Sequence, residues 1–371
     1  MLRFLTAGES HGPCLTAIIE GLPAGLAVRA DEVNGALSRR QAGYGRGGRQ
    51  AIERDQVRFT GGLDGEWTTG APLALVIDNR DWENWRERAV PAWTRPRPGH
   101  ADWAGSVKYG LSDLRQVAER ASARETAARV AVGAVVASLL AAVGVRLGSY
   151  VEAIGGEQAA LAGMPLAERL ALALASDVSC PDEQAAARMR ARIDQARAEG
   201  DSLGGRVALV GLDVPVGLGS YVQWDRRLDA RIAAAIVSIP AVKGVEIGPA
   251  FANTDLPGTL VHDAFYPASP YPERQTNRAG GIEGGVSNGQ PIVVRAAVKP
   301  IPTTVTPQNS VDLATGQAAV TEYQRSDVCA VPAAAVVGEA MLAWVLAEAL
   351  LERYGGDDLA TLQRRVADDR A

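Results

Sequence analysis

Cysteine, histidine and lysine are scarce in this chain of 371 residues, with three of each. The cysteines, at positions 14, 180 and 329, are far apart, odd in number and without a CxxC pair. This pattern argues against a disulfide framework and against a zinc site, and it is typical of reduced thiols in the cytoplasm. We therefore expect a cytoplasmic protein without a metal site.

Uncharged runs long enough to cross a membrane are also missing. Residues 130–145 lie uncharged between two arginines, and this run is shorter than the roughly 20 residues that a membrane helix needs. Residues 332–353 are apolar as well, but Glu339 and Glu348 interrupt them, which favours a core helix. The N-terminus becomes polar too early for a signal peptide. We expect no membrane partner.

The chain has no surplus of positive charge, since its formal net charge is −5. Proteins that bind nucleic acid are usually basic, so no nucleic-acid partner is expected. Apolar residues make up 47% and charged residues 22%, as in ordinary soluble globular proteins. We predict one domain over residues 1–356 and a loosely held, charged tail over residues 357–371.

Strands, glycine-rich turns and helices recur in both halves of the chain. Residues 3–28 predict two strands around a turn, residues 31–40 a short helix capped by Asp31, and residues 57–79 two further strands. Residues 200–239 repeat the succession of hairpin, glycine turn and helix. The repetition hints at a pseudo-duplicated fold.

Residues 117–145 form the central stretch of the chain, a polar first half followed by an apolar second half. Their second half predicts a helix that is buried on all sides. In the first half Arg120 and Arg124 are four residues apart, which places them on one helix face with Ser122 between them. Cations and a hydroxyl at the start of a buried helix suit an anionic ligand, because free N–H groups gather there. The alternative is a solvated first turn before a core helix.

Two of the three histidines lie in short, constrained loops. Ser10 and His11 belong to GESHG, which formally matches the nucleophile elbow G-x-S-x-G. A serine hydrolase is disfavoured, because Pro13 and a β-branched run stand where a helix must follow the serine. A tight turn presents His11 either as a proton donor or as a histidine bonded within the turn.

The second of these histidines follows the stiff segment RPRPG. His100 is either a functional loop residue or simply paired with Asp102. Both possibilities remain open from the residues alone.

A loop rich in glycine and arginine follows the first predicted helix. Gly43, Gly45 and Gly48 satisfy GxGxxG, but the dinucleotide fingerprint has to follow a strand. Guanidinium groups bind phosphate and carboxylate ligands well. This loop has four of them, on Arg39, Arg40, Arg46 and Arg49. A solvated basic loop is the alternative. A kinase or nucleotide hydrolase is disfavoured, because GxxxxGK[ST] does not occur.

Seven motifs occur in order along most of the chain: GESHG, RPGHAD, SARET, AVKGVEIG, NRAGGIEGG, KPIPT and RSDVCAVPA. In this combination the sequence resembles the chorismate synthase family. The resemblance implies an α/β (α+β) sandwich, in which antiparallel sheets pack around long central helices, and a homotetramer.

The resemblance also implies a carbon–oxygen lyase of the shikimate pathway, which leads to the aromatic amino acids. Members eliminate phosphate from 5-enolpyruvylshikimate 3-phosphate in an anti-1,4 sense to give chorismate. The reaction requires reduced FMN although there is no net redox change. Because the chain shows no credible dinucleotide fold, we expect an external flavin reductase, with NADPH as a possible reductant.

Site roles follow from the resemblance, position by position. His11 is expected at the substrate phosphate, His100 at anionic reduced flavin, and Asp327 near the flavin N5, where it assists proton movement. Flavin contacts are expected at Arg120, Ala121, Ser122, Pro240, Ala241, Gly284, Lys299, Pro300, Ile301, Pro302, Thr303 and Arg325. Contacts to the substrate or to an NADP phosphate are expected at Ser10, Arg40, Arg46, Arg97 and Arg124. Ala121 and Ser326 depart from one common form of the family, which has serine and histidine there.

Two other functions fit the same loops. A flavin oxidoreductase would oxidise NADPH without an enolpyruvyl substrate. A regulatory module would bind flavin or phosphate without chemistry, and it would not need two histidines and Asp327.

Overall fold

Two antiparallel sheets, with the helices that pack on them, make up most of the protein. The structure is a computed structural model, and it describes residues 1–47, 54–84, 86–87, 90–269, 272–324 and 326–370. The strands of the first sheet are β1 Arg3–Ala7, β2 Cys14–Glu20, β3 Val57–Gly61 and β4 Leu73–Asp78. Side chains alternate along them: Leu15, Ala17 and Ile19 of β2 are buried, while Ile18 is exposed.

The second sheet comes from the rest of the chain. Its main strands are β5 Arg146–Ile154, β6 Gly205–Leu212, β7 Val242–Ile247 and β8 Ile292–Val298. The sequence predicts a hairpin in residues 200–219, and this prediction is wrong. The segment contains one strand, β6, which pairs with β5 and β8. The apolar run of β6 leaves it buried in the middle of the sheet.

Nine helices of eight or more residues lie in the part of the chain that the structure describes. They are α1 Ala30–Gln41, α2 Asp102–Tyr109, α3 Leu114–Ala121, α4 Thr126–Ala141, α5 Leu166–Ala175, α6 Glu183–Ala198, α7 Leu228–Val237, α8 Val331–Tyr354 and α9 Leu359–Arg370. The helices α1 and α4 pack on the first sheet, α7 and α8 pack on the second, and α4 packs on α8. The predicted sandwich of antiparallel sheets around central helices is confirmed.

Both sheets follow one plan. The first has the strand order β1-β2-β4-β3, and the four main strands of the second have the order β5-β6-β8-β7, with the two-residue strand Glu157–Gln158 beside β5. In each half a helix, α1 or α7, joins the second strand to the third, and a long core helix, α4 or α8, follows the fourth. The matching order supports the pseudo-duplication that the sequence hints at.

The two core helices approach each other closely. A Cβ added at Gly133 of α4 would lie 2.3 Å from the Cβ of Ala340 in α8, so only glycine fits there without movement. By length and composition α8 could cross a membrane, but 83% of its most apolar 18-residue window is buried inside the protein. Helices that are apolar all round are typical of a protein core.

Residues 117–145 do not form one helix. Ser122 ends α3 in an extended conformation, with φ −64° and ψ 142°, and its hydroxyl accepts a hydrogen bond from the Arg124 N–H at 3.2 Å. A short 3-10 turn, Ala123–Glu125, then leads into α4. The prediction that Arg120 and Arg124 share a helix face is therefore wrong, because the serine side chain caps a new helical segment between them.

The start of α1 also differs from the prediction. The helix begins at Ala30 after Arg29, which makes no side-chain cap, so Asp31 lies inside the first turn and does not cap the helix. A carboxylate in that turn still interacts favourably with the helix dipole.

The C-terminal residues are held more firmly than the predicted loose tail. Ala24 forms a β-bridge with Asp358, and α9 buries Leu362 and Val366 against the core. The two apolar residues are four apart, so they lie on one face of α9.

Candidate active site

Ser10 and His11 lie in the loop between β1 and β2, against the last turn of α3. The His11 ring Nδ1 lies 2.7 Å from one carboxylate oxygen of Glu119, and the His11 backbone N–H donates to the other at 2.6 Å. The Ser10 N–H donates to the Glu119 carbonyl at 3.0 Å, and the hydroxyl of Ser122 lies 3.2 Å from that of Ser10. Asn79 donates from Nδ2 to the carbonyls on either side of His11. The loop is therefore fixed on several sides.

A buried ion pair lies next to this loop. The Arg124 Nη1 donates to both carboxylate oxygens of Asp55, at 2.6 and 2.7 Å. Arg40 donates to the Thr126 hydroxyl at 3.0 Å and to the Ala123 carbonyl at 3.1 Å, and it lies 3.5 Å from Asp55. Both arginine side chains are 6% exposed, so their charges depend on protein groups or on a ligand for compensation.

A third arginine completes what we call the arginine cluster, namely Arg40, Arg46 and Arg124. The Arg46 Nη1 donates to the Asp327 carboxylate at 2.5 Å, and the Gly47 N–H donates to its other oxygen at 2.7 Å. Arg46 follows α1, so the predicted glycine and arginine loop does carry a cation to this place.

The arginine cluster concentrates positive charge. Burial lowers the pKa of Arg40 to about 10; Asp55 opposes this effect, while the neighbouring Arg46 and Arg124 add to it. Among the residues that the structure describes, the three guanidinium groups pair with the carboxylates of Asp55 and Asp327. Guanidinium groups brought together in this way favour a ligand with several negative charges.

His100 belongs to a second group, the Arg97 triad, formed by Arg97, His100 and Asp102. The His100 Nδ1 lies 2.6 Å from the Asp102 carboxylate, which also accepts from Arg97 Nε at 2.8 Å. Burial opposes ionisation of Asp102, but hydrogen bonds from His100 and Arg97 outweigh it and hold the pKa of the carboxyl well below its usual value. The Arg97 guanidinium also stacks 4.5 Å above the ring of Trp93. The pairing of His100 with Asp102, one of two possibilities from the sequence, is thus present.

Residues 299–303 run beside the Arg97 triad. The Lys299 ammonium donates to the Gly99 carbonyl at 2.9 Å, and its backbone N–H donates to the carbonyl of Ala241. Burial lowers the pKa of Lys299, and the nearby charge of Lys243 lowers it further. Ala241 has φ 71°, in the left-handed region that favours glycine. Two cations so close together favour an anion between or beside them.

Contacts join the two groups into one surface. Arg97 donates to the Thr303 hydroxyl at 3.3 Å, and the Ser326 hydroxyl donates to the Thr303 carbonyl at 3.1 Å. Ser326 precedes Asp327, which holds Arg46 of the arginine cluster. These contacts connect His100 with Asp327, while the loop of His11 connects to Arg124 through Ser10 and Ser122.

Other predicted flavin positions are distributed along the edge of this region. Ala121 is the last residue of α3, Pro240 precedes Ala241 directly, and Pro300, Ile301 and Pro302 continue from Lys299. The Ile301 carbonyl accepts a bond from the Ser202 hydroxyl. Arg325 lies outside the described residues.

Two predicted flavin residues are placed differently. Arg120 is exposed and donates to the carbonyls of Thr6 and Gly8, so its guanidinium supports the β1–β2 loop. Gly284 lies near the start of α7, where the Leu228 N–H donates to the Gly285 carbonyl, whereas Ala241 follows the end of the same helix. The ten residues of α7 span about 15 Å, so Gly284 and Ala241 lie near opposite ends of this helix in the same chain.

Sequence reasoning missed the carboxylates that organise the site. Glu119 and Asp55 hold His11 and Arg124, and neither stands in a motif that singles it out for this role. The one available signal was general: buried arginines and an oriented histidine require acceptors. Which acidic residue supplies them is decided by the fold.

Comparison with known proteins adds a direct identification. A family model described as chorismate synthase matches residues 2–351. The chain belongs to the chorismate synthase family. Curated relatives named chorismate synthase include proteins from Desulforamulus reducens, 52% identical over 380 residues, and Moorella thermoacetica, 54% identical over 376 residues. The alignments cover 99% of this chain and 97% and 98% of those two proteins.

A solved structure agrees with these matches. The fold is similar to that in a crystal structure of chorismate synthase, with a TM-score of 0.82, 42% sequence identity and coverage of 99% of this chain and 96% of that one. Chorismate synthases are lyases of the shikimate pathway that convert 5-enolpyruvylshikimate 3-phosphate to chorismate, and they require a reduced flavin. The resemblance seen in the sequence is confirmed.

Proposed function

We propose that the arginine cluster and the Arg97 triad form the site where phosphate is eliminated from 5-enolpyruvylshikimate 3-phosphate to give chorismate. The observation that carries the proposal is the convergence of three guanidinium groups in the arginine cluster, which connects to the loop of His11 through Ser122 and Ser10. The substrate carries a phosphate and two carboxylates, and arginine forks bind both groups well.

We assign the substrate to the loop of Ser10 and His11 and to the arginine cluster. His11 donates a proton to the leaving phosphate, while Arg40, Arg46 and Arg124 stabilise the charge that develops on its oxygens. Arg97 takes a different role from the predicted phosphate contact. Its guanidinium is engaged by Asp102, Thr303 and the Trp93 ring, so we propose that it orients His100.

The residues around Lys299 suit a flavin. Lys299 and Lys243 repel each other, and both are suited to an anionic group such as a phosphate or an anionic reduced ring. We propose that FMN lies along residues 299–303 with the backbone of Ala241 at its edge. When bound, reduced FMN supplies an electron-rich partner that is restored within each turnover.

Two residues of the chain would act toward this cofactor. His100, held by Asp102, stabilises negative charge on the flavin. Asp327, held by Arg46 and by the Gly47 N–H, assists the movement of a proton near it. Each such group contributes about 10²- to 10⁴-fold to a rate.

Further proposals concern the setting of the enzyme. We propose a homotetramer in the cytoplasm, supplied with reduced FMN by an external reductase, with NADPH as a possible source of electrons. Family membership supports the tetramer. The three cysteines are free thiols, which supports a reducing compartment. The GxGxxG string begins after α1 and not after a strand, which argues against a dinucleotide site of its own.

An anaerobic assay tests the proposal. Purified protein, photoreduced FMN and 5-enolpyruvylshikimate 3-phosphate are combined, and chorismate absorbance and released phosphate are followed. Equal amounts of both products with reduced FMN, and none with oxidised FMN, are expected. NADPH oxidation without the substrate would favour the oxidoreductase instead. Tight FMN binding without any product would favour the binding module.

A further inference from the structure

We propose that Glu119 is the positioning residue of His11. It holds the imidazole so that the neutral ring carries its proton on Nδ1 and presents Nε2 to the substrate. The use of Nε2 rests on the function proposed above, whereas the tautomer follows from the geometry alone.

The first observation is that the Glu119 carboxylate contacts His11 at two points. Its Oε2 accepts the backbone N–H of His11 at 2.6 Å, and its Oε1 lies 2.7 Å from the ring Nδ1. A carboxylate accepts hydrogen bonds and has none to donate, so Nδ1 must be the donor. The partner of one ring nitrogen decides which nitrogen holds the proton in the neutral ring.

The second observation is that Glu119 itself is well anchored. It lies in the last turn of α3, and its carbonyl accepts the Ser10 N–H at 3.0 Å. At the other end of α3 the Asp113 carboxylate accepts the N–H groups of Arg115 and Trp93, both at 2.9 Å. The carboxylate therefore belongs to a helix that is fixed at both ends, and the ring of His11 takes its orientation from that helix.

The third observation is that the other site histidine repeats the arrangement. The Nδ1 of His100 lies 2.6 Å from Asp102 Oδ1. Arg97 Nη2, which can only donate, lies 3.0 Å from Nδ1 and donates to the same carboxylate oxygen at 3.0 Å, so the carboxylate is the acceptor that both groups share. Each histidine thus has a carboxylate on the same ring nitrogen, and we assign Nε2 to the ligand side of each ring. The side chains of His11 and His100 remain 28% and 15% exposed, enough to be reached from the site.

The consequence for the reaction is a defined proton path. The doubly protonated ring gives its Nε2 proton to a phosphate oxygen as the C–O bond breaks and its electron pair leaves with the phosphate. Over the whole 1,4-elimination the substrate also loses one hydrogen as a proton, and the electron pair of that C–H bond forms the new double bond. Glu119 keeps the second proton on Nδ1, so a proton is taken up again at Nε2. Without the carboxylate the proton of the neutral ring could move to Nε2, and Nε2 could then accept no other proton.

The test is solid-state ¹⁵N NMR of the full-length enzyme labelled at the histidine rings. The chain has three histidines, so His11→Ala and His100→Ala assign the resonances. At a pH where the rings are neutral, the wild-type His11 spectrum should contain a protonated Nδ1 and an unprotonated Nε2. A protonated Nε2 in the wild type would overturn the inference, and this measurement requires no variant to fold.

Glu119→Gln provides the second test. An amide oxygen can accept from only one of the two His11 donors, and its NH2 group faces the other, so the Nδ1 signal should lose its protonated character. Turnover in the anaerobic assay should fall about 10²-fold, which is the lower range of what a general acid contributes. Glu119→Asp keeps the charge at a shorter reach and should recover part of the turnover.

Two control variants distinguish a loss of His11 positioning from a general loss of structure. Asp102→Asn should change the His100 resonances and leave those of His11 in place. Glu20→Gln removes an exposed glutamate that pairs with Arg3, and it should change neither the spectrum nor the turnover. Unchanged turnover and an unchanged Nδ1 signal in Glu119→Gln would overturn the inference. Normal turnover of His11→Ala would instead remove the assigned role of His11, whatever its tautomer.

Discussion

Asp55 and Arg124 form an ion pair in which one guanidinium nitrogen lies 2.6 and 2.7 Å from the two carboxylate oxygens, with both side chains almost fully buried. The pair lies beside Arg40, whose guanidinium is 3.5 Å from Asp55. Asp55 therefore holds two arginines of the arginine cluster together.

Asp55→Ala should lower the free energy of unfolding by about 3–5 kcal/mol, because it removes a carboxylate that compensates buried arginine charge. Chemical denaturation of the ligand-free protein measures the change. Asp78→Ala, which removes an exposed partner of Arg58, should cost about 0–1 kcal/mol. A loss below about 1 kcal/mol for Asp55→Ala would mean that the pair contributes little.

His11→Ala and His100→Ala should each lower turnover by about 10²-fold or more, while the circular dichroism spectrum stays that of the wild type. His262→Ala is the matched control, since the third histidine is exposed and lies after the single turn Gly258–Val261. Its turnover should stay within about twofold of the wild type, as expected of a surface substitution. Near-normal turnover of both site variants would contradict the roles given to the two histidines.

Arg40→Ala and Arg46→Ala should raise the KM for 5-enolpyruvylshikimate 3-phosphate more than they lower kcat, because both remove charge that binds the anion in the ground state. Arg46→Ala should lower kcat in addition, since Asp327 loses its ion pair. Arg58→Ala, at an exposed ion pair with Asp78, serves as the control and should change neither constant. A pure loss of kcat in the Arg40 variant, with KM unchanged, would argue against a binding role.

Lys299→Met should weaken the binding of oxidised FMN by about 10- to 100-fold, the effect of losing one hydrogen bond to a charged group. Fluorescence quenching during an FMN titration gives the Kd. Lys108→Met is the control, because Lys108 is exposed on α2 and its ammonium lies beside the Tyr109 ring. Equal Kd values for all three proteins would place the flavin elsewhere.

Asp102 should make the stability of the protein sensitive to acid. The pKa of its carboxyl is lowered in the folded state, so unfolded protein binds more protons and the free energy of unfolding falls as the pH drops below about 4. Asp102→Asn should be less stable at neutral pH and should lose less stability between about pH 4 and pH 2. Asp64→Asn, at an exposed hairpin position, should follow the wild-type curve. The same acid dependence in Asp102→Asn and wild type would rule out Asp102 as its source.

The elements with strong periodicity were predictable from the sequence. Continuous apolar runs predicted the core helices α4 and α8, and alternation predicted β1, β2 and the pair β3 and β4. Local patterns were sufficient there because burial of one face is a property of the segment itself. The break at Ser122 was not predicted, because a serine within an apolar stretch is compatible with a helix interior until its side chain turns to the backbone.

The sequence by itself determined the family, the sandwich class and the loops that carry His11, His100 and the arginines. Only the tertiary structure decided which carboxylate holds which cation: Glu119 lies 108 positions from His11, Asp55 lies 69 from Arg124, and Asp327 lies 281 from Arg46. The reason is physical. Hydrophobic periodicity is a property of neighbouring residues in the sequence. A buried charge is compensated by groups that come close to it only after the two halves have packed.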